Sequence, residues 1–543
     1  MKDFIKLVKH TTSFKKFLRA ELTLLALMLG QKGVVLVLPI ASRSLIDTAV
    51  YSRDISTFRI SSIIYILLIL LFITLLSLRY LVEKTYSINF TNKLRQFVLK
   101  TLLNTKIKHI MDKDEGYFIQ RVNVNSKLVS EFLFSDVNIF ITNVLLLIGA
   151  LIMNFKLSPK LTLIILPVFP VFILFSKLLL PEIEKISHKL MTAEEDLATM
   201  VSENVQGYIH LRVNNLQGER MEKTNSSLAK IFNLTKKYTI LEIVLDIVLV
   251  TGVLNFSEAI IRIVGGSMIL NNTLTIGTLT AILTYFFRIW DTAESIMEFP
   301  KKYKTKVVSA KKLTELFNFE EECSPNISSK EPLDEFQELK MEDIHLSFPD
   351  KKIFEGLNLK VSKGDKVCIL GDNGSGKTTL ARMLIGLFEP QKGRITYNGI
   401  ELFKIPPSKL REKIVLVPHD PFVFKGSLKE NISSSESLPE ELAFEFLNRQ
   451  SKDLSEVVDN KNLNLSAGEK KLITILRGIA RNGDLYIFDE PTAYVDNFYK
   501  NIIIELITRR LRDKTVILIT HDEEVCSSCS SRYMLKDGKL VKL

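Results

Sequence analysis

Gly371-Asp-Asn-Gly374-Ser-Gly376-Lys377-Thr378-Thr379 is the stretch that decides the fold of the C-terminal part of this 543-residue chain. It follows a strand-like run, Lys366-Val-Cys-Ile-Leu370, and opens an apolar helical pattern, Leu380-Ala-Arg-Met-Leu-Ile385. Strand, glycine-rich turn and helix in that order are what a phosphate-cradling loop demands. The glycines let the backbone N–H groups of Gly371, Asp372, Asn373, Gly374, Ser375 and Gly376 curl around phosphate oxygens, and the helix N-terminus adds positive potential. Lys377 is the cation for the β- and γ-phosphates and Thr378 the hydroxyl for Mg²⁺, with Thr379 beside it at the start of the helix.

Two further strands end in chemistry-bearing residues. Asp484-Leu-Tyr-Ile-Phe488 delivers Asp489 and Glu490, the first suited to Mg²⁺ through water and the second to polarising an attacking water. Val516-Ile-Leu-Ile-Thr520 delivers His521, placed to sense a γ-phosphate. Each signal is weak by itself, but in this order after the phosphate loop they reinforce one another.

The rest of the chain has a different character. Charged residues make up 24% of the whole and hydrophobic ones 46%, a mixture that fits a part-membrane, part-soluble protein of two or more domains. Six apolar segments have about the ~20 residues a bilayer core requires: residues 22–46, 60–82, 132–153, 161–180, 240–269 and 278–299. Lysine and arginine number six before the first span, nine between Glu83 and Glu131, and eight between Pro181 and Tyr238. The other connections hold only Arg53, Arg59, Lys156 and Lys160. Both termini are therefore expected in the cytoplasm of a multi-pass protein of the cytoplasmic membrane. The first apolar run is too long for a signal core and is read as retained. Phe4, Ile5, Leu7 and Val8 beside Lys6 and Lys9 suggest a short interfacial helix. The net charge of +11 is spread along the chain rather than gathered in a stripe, which argues against nucleic acid. Cys323, Cys368, Cys526 and Cys529 imply no disulfide framework, and the single C-x-x-C pair lacks the partner a zinc site needs.

Between Lys377 and His521 stands Leu465-Ser466-Ala467-Gly468-Glu469, opening the helix Lys470-Lys-Leu-Ile-Thr-Ile-Leu-Arg477. With this segment in place the whole chain resembles an ATP-binding-cassette exporter half. The implied fold is an α-helical six-span transmembrane domain with long cytosolic helical extensions (1–320), a linker (321–335) and an α/β P-loop cassette (336–543). The resemblance implies ATP and Mg²⁺. It also implies a second half-transporter, because Ser466, Ala467, Gly468 and Glu469 would face the nucleotide bound by the other subunit. A homodimer is favoured by the retained Glu490. Phe348 matches the aromatic that stacks on adenine, a core aromatic being the alternative, and Asp496 in Ala493-Tyr-Val-Asp496 matches the loop joining the two nucleotide sites. Asp114–Arg121 and Ser202–Tyr208 resemble the two coupling-helix regions.

Three segments depart from the family pattern. His419, in Val417-Pro-His-Asp-Pro421, replaces a glutamine; Ala467 and Glu469 replace a glycine and a glutamine; Asn460 stands for a glutamate. Glutamine offers Mg²⁺ a hard oxygen and imidazole does not, so His419 is expected to act through water or on the coupling helices. None of the departures removes Glu490, His521 or Lys377. The expected activity is ATP-driven export of a hydrophobic or amphipathic substrate, peptide or drug-like, from a surrounding of membrane lipids. A lipid or lipid-linked-sugar flippase is the alternative, as is a non-transporting membrane ATPase. Only about twenty residues precede the first span, which leaves no room for a cysteine-peptidase domain. Glu242 and Asp246 on the fifth span, and Arg288, Asp291 and Glu294 on the sixth, suggest a cavity that favours a cationic substrate, while Glu258 and Arg262 are expected to pair with each other.

Overall fold

Helices dominate as far as residue 318, and mixed sheets with helices follow. The computed structural model describes residues 2–52, 54–111, 113, 115–244, 251–322, 333–348, 351–433, 455–459, 465–493 and 495–543. Asp114, Asp246, Cys323, Asn460 and Tyr494 lie outside them. Contacts divide the chain into two units, Met1–Val98 with Ile119–Glu315, and Leu99–Phe118 with Leu316–Leu543.

In the first unit, α1 (Lys2–Thr11) buries Phe4, Leu7 and Val8, spaced i, i+3 and i+4, and Phe4 packs on Phe132 with ring centroids 4.5 Å apart. A short helix stands where an interfacial one was expected, with its apolar face packed on protein. The long helices are α2 (Phe14–Asp47), α3 (Ile55–Asn104), α4 (Val137–Leu157), α5 (Pro159–Ile165), α6 (Val168–Gln206), α7 (Gln217–Ile243), α8 (Gly252–Leu270) and α9 (Ile276–Thr314). The 50 residues of α3 give about 75 Å of helix, more than twice a ~30 Å hydrocarbon core. Among the described residues, Phe14–Ser52, Ile55–Asn104, Gly116–Leu157 and Gly252–Leu270 are long and apolar enough to cross a membrane. The fourth span of the sequence reading is not one continuous helix. It breaks at Leu166–Pro167, between α5 and α6, where proline offers no N–H to the preceding turn. The fifth runs partly through residues 245–250, outside the described set. The sixth lies within α9.

Charges in this unit are arranged differently from the sequence reading. Glu258 and Arg262 pair one turn apart as expected. Arg288, Asp291 and Glu294 are exposed on α9, but Lys32 of α2 lies within electrostatic reach of Arg79, Arg288 and Asp291. Arg79 in turn holds Glu83 and Gln31, each at 3.2 Å. Lys32 of the first span, with Arg79 beside it, is thus a cation near Arg288 and Asp291 that the reading of spans five and six left out.

In the second unit, twelve strands follow in chain order: β1 (Glu338–Phe348), β2 (Lys351–Ser362), β3 (Lys366–Gly371), β4 (Lys392–Tyr397), β5 (Ile400–Glu401), β6 (Ile414–Val417), β7 (Gly426–Ser427), β8 (Val457–Val458), β9 (Leu485–Asp489), β10 (Thr515–Thr520), β11 (Ser531–Lys536) and β12 (Lys539–Lys542). The main sheet has the order β12-β11-β3-β10-β9-β6, parallel except for β12. Every residue of β9 and β10 is buried, which is why these strands read as unbroken apolar runs rather than alternating ones. An antiparallel sheet, β2-β1-β4-β5, covers one face of a core that includes Phe336, Phe354, Ile369 and Tyr397. Helices α10 (Lys377–Leu384), α11 (Ala467–Ile479) and α12 (Asn497–Arg510) complete the fold around the main sheet.

One proximity here was not anticipated. Cys368 and Cys526 lie side by side, with Cα atoms 5.6 Å apart and both residues fully buried. Sequence spacing could not show it, because Cys526 reaches β3 through the turn Val525–Ser528 that precedes β11. The segment Leu99–Phe118 also belongs to this unit. Lys106 donates its N–H to Glu320 O at 3.0 Å, Thr105 bridges Glu321, and the His109 and Phe319 rings stack at 5.2 Å.

Candidate nucleotide site

Parallel register brings the candidate residues together. Leu370 of β3 pairs with Thr520 of β10, Ile519 of β10 with Asp489 of β9, and Phe488 of β9 with Val417 of β6. The four strands therefore end side by side, and the next residues of each are the phosphate loop, His521, Glu490 and Pro418-His419. Ligands of open parallel sheets sit outside such C-terminal strand ends.

The loop from β3 to α10 is shaped by its glycines. Gly376 has φ +103° and Gly374 φ +79°, and a Cβ on Gly376 would stand 2.7 Å from Ile353 Cγ2. Asp372, Asn373 and Gly374 are exposed, Ser375 is partly buried, and Lys377 is buried. The Lys377 ammonium donates to Gly371 O at 2.6 Å and Asp372 O at 3.2 Å, and its third neighbour is Glu490 Oε1 at 3.3 Å. Lys351 donates to Gly374 O at 2.8 Å, a second cation on the loop that the sequence reading did not single out.

Glu490 is held in an uncommon conformation. Its φ of +48° lies in the left-handed region, which costs a non-glycine residue of order 1–3 kcal/mol and persists where the surroundings enforce it. They do so here: Glu490 N–H donates to Ile519 O at 2.8 Å, while Oε2 accepts from His521 Nδ1 at 2.9 Å and Thr520 Oγ1 at 3.3 Å. Burial raises the Glu490 carboxyl, but the His521 hydrogen bond and the Lys377 charge outweigh it and leave the group below its ordinary range. Asp489 shows the opposite result. Burial pushes its carboxyl up, although the Thr378 hydroxyl donates to it and His419 lies within electrostatic reach. Two carboxylates in sequence are thus driven apart by their environments.

The donors present suit the groups the motifs imply. Asp489 Oδ1 and Ser375 Oγ are buried with no protein hydrogen-bond partner, an arrangement that needs an outside partner. Thr378 and Asp489 offer oxygen alone, the donor type Mg²⁺ takes. Phe348 ends β1 with its ring 39% exposed and edge-on to Phe388, so it is a surface aromatic and not a core one. Ser466 and Ala467 are exposed at the start of α11, while Gly468 and Glu469 are buried. Ser466 Oγ accepts from Glu469 N–H at 3.2 Å, and Glu469 Oε2 accepts from Ser466 N–H at 2.6 Å. A reciprocal capping box of this kind, which glutamine at the same position forms equally, contributes about 1 kcal/mol to helix stability. Asp496 likewise caps α12, accepting from Tyr499 N–H at 2.9 Å.

Two cations on α11 were also missed. Lys471, 1% exposed, points at the carbonyls of Pro418, His419 and Asp489. Arg477 donates to Asn431 O at 2.6 Å and Phe422 O at 2.9 Å. The signal was faint, because α11 is buried almost all round and its two lysines and arginine read as the polar side of an amphipathic helix.

Comparison with known proteins agrees with this geometry. A family model described as the ABC transporter transmembrane region matches residues 22–289, and one described as ABC transporter matches residues 354–493. The chain belongs to the ABC transporter family and joins one transmembrane region to one cassette. A structure of a bacterial Atm1-family ABC exporter with ATP bound superposes with a TM-score of 0.77, covering 97% of this chain and 95% of the other at 18% identity, a likeness of fold. The lactococcin-G-processing and transport ATP-binding protein LagD of Lactococcus lactis subsp. lactis is 24% identical over 459 residues, or 81% of this chain. The matched region spans 64% of that protein, less than two thirds of its length. The ATP-dependent lipid A-core flippase of Desulfotalea psychrophila is 24% identical over 413 residues, 74% of this chain and 71% of the flippase.

Proposed function

We propose that this chain binds and hydrolyses Mg²⁺-ATP as one half of a dimeric exporter, with residues 1–320 as membrane domain, 321–335 as linker and 336–543 as cassette. The observation that carries the reading is the meeting of Lys377, Asp489, Glu490 and His521 at adjacent parallel strand ends. In this conformation Lys377 is neutralised by Glu490. A bound triphosphate competes for the ammonium, so nucleotide loading releases Glu490 to accept a proton from water. His521 orients that carboxylate through Nδ1. Thr378 and Asp489 would hold Mg²⁺, which supplies charge neutralisation at the phosphates. Phe348 gives the adenine a face on which to stack. The exposed Ser466 and Ala467 present the α11 N-terminus to the nucleotide on a second copy.

A homodimer in the cytoplasmic membrane, termini inside, fits a chain with one complete set of hydrolytic residues and basic inner loops. The substrate is hydrophobic or amphipathic, peptide or drug-like, a reading supported by the relative named for lactococcin G. Lipid flipping is the second reading, supported by the relative named a lipid A-core flippase. Purified protein in lipid vesicles tests both: a panel of peptides, dyes and labelled lipids is scored for ATP-dependent movement and for stimulated ATPase. If no member of the panel moves or stimulates hydrolysis, the chain is better read as a non-transporting ATPase.

His419 supplies a finer test. Its ring faces Asp489 electrostatically and its Nε2 lies 3.9 Å from Asp420 Oδ1. His419→Gln is expected to keep most ATPase activity. His419→Ala is expected to uncouple substrate stimulation more than it slows basal turnover. ATPase rates with and without substrate decide the matter. Should His419→Gln be as inactive as Glu490→Gln, the histidine is a direct part of the hydrolytic machinery.

A further inference from the structure

An ammonium group sealed inside a protein is a costly choice that hydrocarbon of the same length would avoid. Lys471 lies on the second turn of α11, five residues beyond the Ser466 cap, and is among the most completely buried large side chains of the described residues. Its Nζ has three donors and three backbone carbonyls face it: His419 O at 2.8 Å, Pro418 O at 3.3 Å and Asp489 O at 3.5 Å. The first two belong to the turn that leaves β6, and the third to the last residue of β9. β6 and β9 pair only as far as Val417↔Phe488. Beyond that rung no ladder hydrogen bond fixes the spacing between the two strand ends, and the lysine stands where the next rung would be.

Both ends carry residues of the hydrolytic site. The Asp489 carboxyl accepts from Thr378, and the His419 ring lies beside it. Asp489, Asp420 and Glu490 are the carboxylates that face the ammonium, and burial opposes its charge. We propose that Lys471 is a positioning residue for ATP hydrolysis, a pin from α11 that holds the Pro418-His419 turn and Asp489 at a fixed separation. It touches no reacting atom; it acts through the backbone of residues that do. Because α11 begins at Ser466, the same pin ties the helix presented to a second copy to the turn that carries His419. Arg477, two turns further along α11, fixes Phe422 and Asn431 in the same segment. That segment is therefore anchored to α11 at two points, of which only Lys471 also reaches β9.

The proposal rests on the hydrolysis reading, and the two are tested by separate measurements. Lys471→Met keeps the length and the buried hydrocarbon but removes all three donors; Lys471→Gln restores some of them on a shorter neutral chain. Full-length protein in detergent or vesicles is assayed for kcat, KM for ATP and Tm. Lys471→Met is expected to lower kcat about tenfold or more with Tm unchanged or higher, and Lys471→Gln to recover part of the rate. A second readout needs no turnover. In the Glu490→Gln background, wild-type Lys471 should give tighter binding of ATP with Mg²⁺ than without it, and Lys471→Met should lose most of that gain while its affinity for metal-free ATP is kept. Unchanged kcat and an unchanged Mg²⁺ gain in Lys471→Met overturn the proposal. A fall in Tm for both variants with an unaltered rate per folded molecule overturns it too, since the lysine is then a structural residue. Absence of hydrolysis in the unsubstituted protein would instead defeat the ATPase reading, leaving the Mg²⁺ gain to judge Lys471.

Discussion

Glu490→Gln is expected to lower ATP turnover at least about 100-fold, the scale on which a positioned general base acts, while ATP still binds. The side chain is buried and its two oxygens are assigned: Oε2 to His521 and Thr520, Oε1 to Lys377. An amide of the same shape keeps the packing and loses the proton acceptor. It also loses the charge that competes with phosphate for Lys377, so ATP affinity should be equal or higher. The pH dependence follows from the sign of the shift. A glutamate held below its ordinary value of 4.5 contributes stability that is present above that value and is lost as pH falls through the lowered one. Glu490→Gln should therefore remove one acid-sensitive contribution to cassette stability, seen as a smaller loss of Tm below about pH 4.5. The decisive measurements are single-turnover hydrolysis and equilibrium ATP binding on the same preparation. Hydrolysis at the normal rate would remove Glu490 from the role of base and pass it to His521 or to a group outside this cluster.

What the sequence showed of this site, and what it hid, divides along a physical line. Local geometry was readable. Glycines at 374 and 376 announce positive φ, apolar runs ending in Asp489 and His521 announce buried parallel strands, and all three meet because strand ends of one sheet must. That Lys377 rests against Glu490 was not among these readings. Features made by distant pairing were not readable. Cys368 meets Cys526 across 158 residues, and Leu99–Phe118 joins the cassette unit although it lies in the basic connection between the second and third spans. Lys471 and Lys351 were passed over for a related reason. A lysine has four carbons of reach, so its sequence position does not say whether the ammonium ends in water or among carbonyls. Glu469 was read only as a departure from a family pattern, yet Ser466-x-x-Glu469 is itself a capping box that residue types alone disclose. The charges of spans one and two were overlooked because apolar runs were scored for length, not for which faces would meet.

Lys377→Met is expected to produce the largest loss in nucleotide affinity. Truncating one member of a buried hydrogen-bonded charge pair costs about 2–5 kcal/mol, which at 1.4 kcal/mol per decade corresponds to roughly 30-fold to several-thousand-fold weaker binding. The structure says where that energy resides. The ammonium donates to Gly371 O and Asp372 O and balances Glu490. Methionine fills the stem of the cavity and satisfies none of the three. The phosphates then meet only backbone N–H groups and the α10 N-terminus, while Glu490 keeps its charge with His521 alone to offset it. Lys377→Arg is no remedy, since a planar guanidinium needs room that the 2.6 Å approach to Gly371 O does not leave. Because Lys377 and Glu490 touch, their substitutions should not add. In Lys377→Met the further change Glu490→Gln should restore part of the ATP affinity, by removing a carboxylate that otherwise repels phosphate. Fluorescent-nucleotide titration of the four proteins forms the complete cycle, with Tm recorded for each to exclude unfolding. Affinity within threefold of the unsubstituted protein in Lys377→Met would mean that the loop amides alone grip the phosphates, and that the lysine serves only to cover Glu490 until nucleotide arrives.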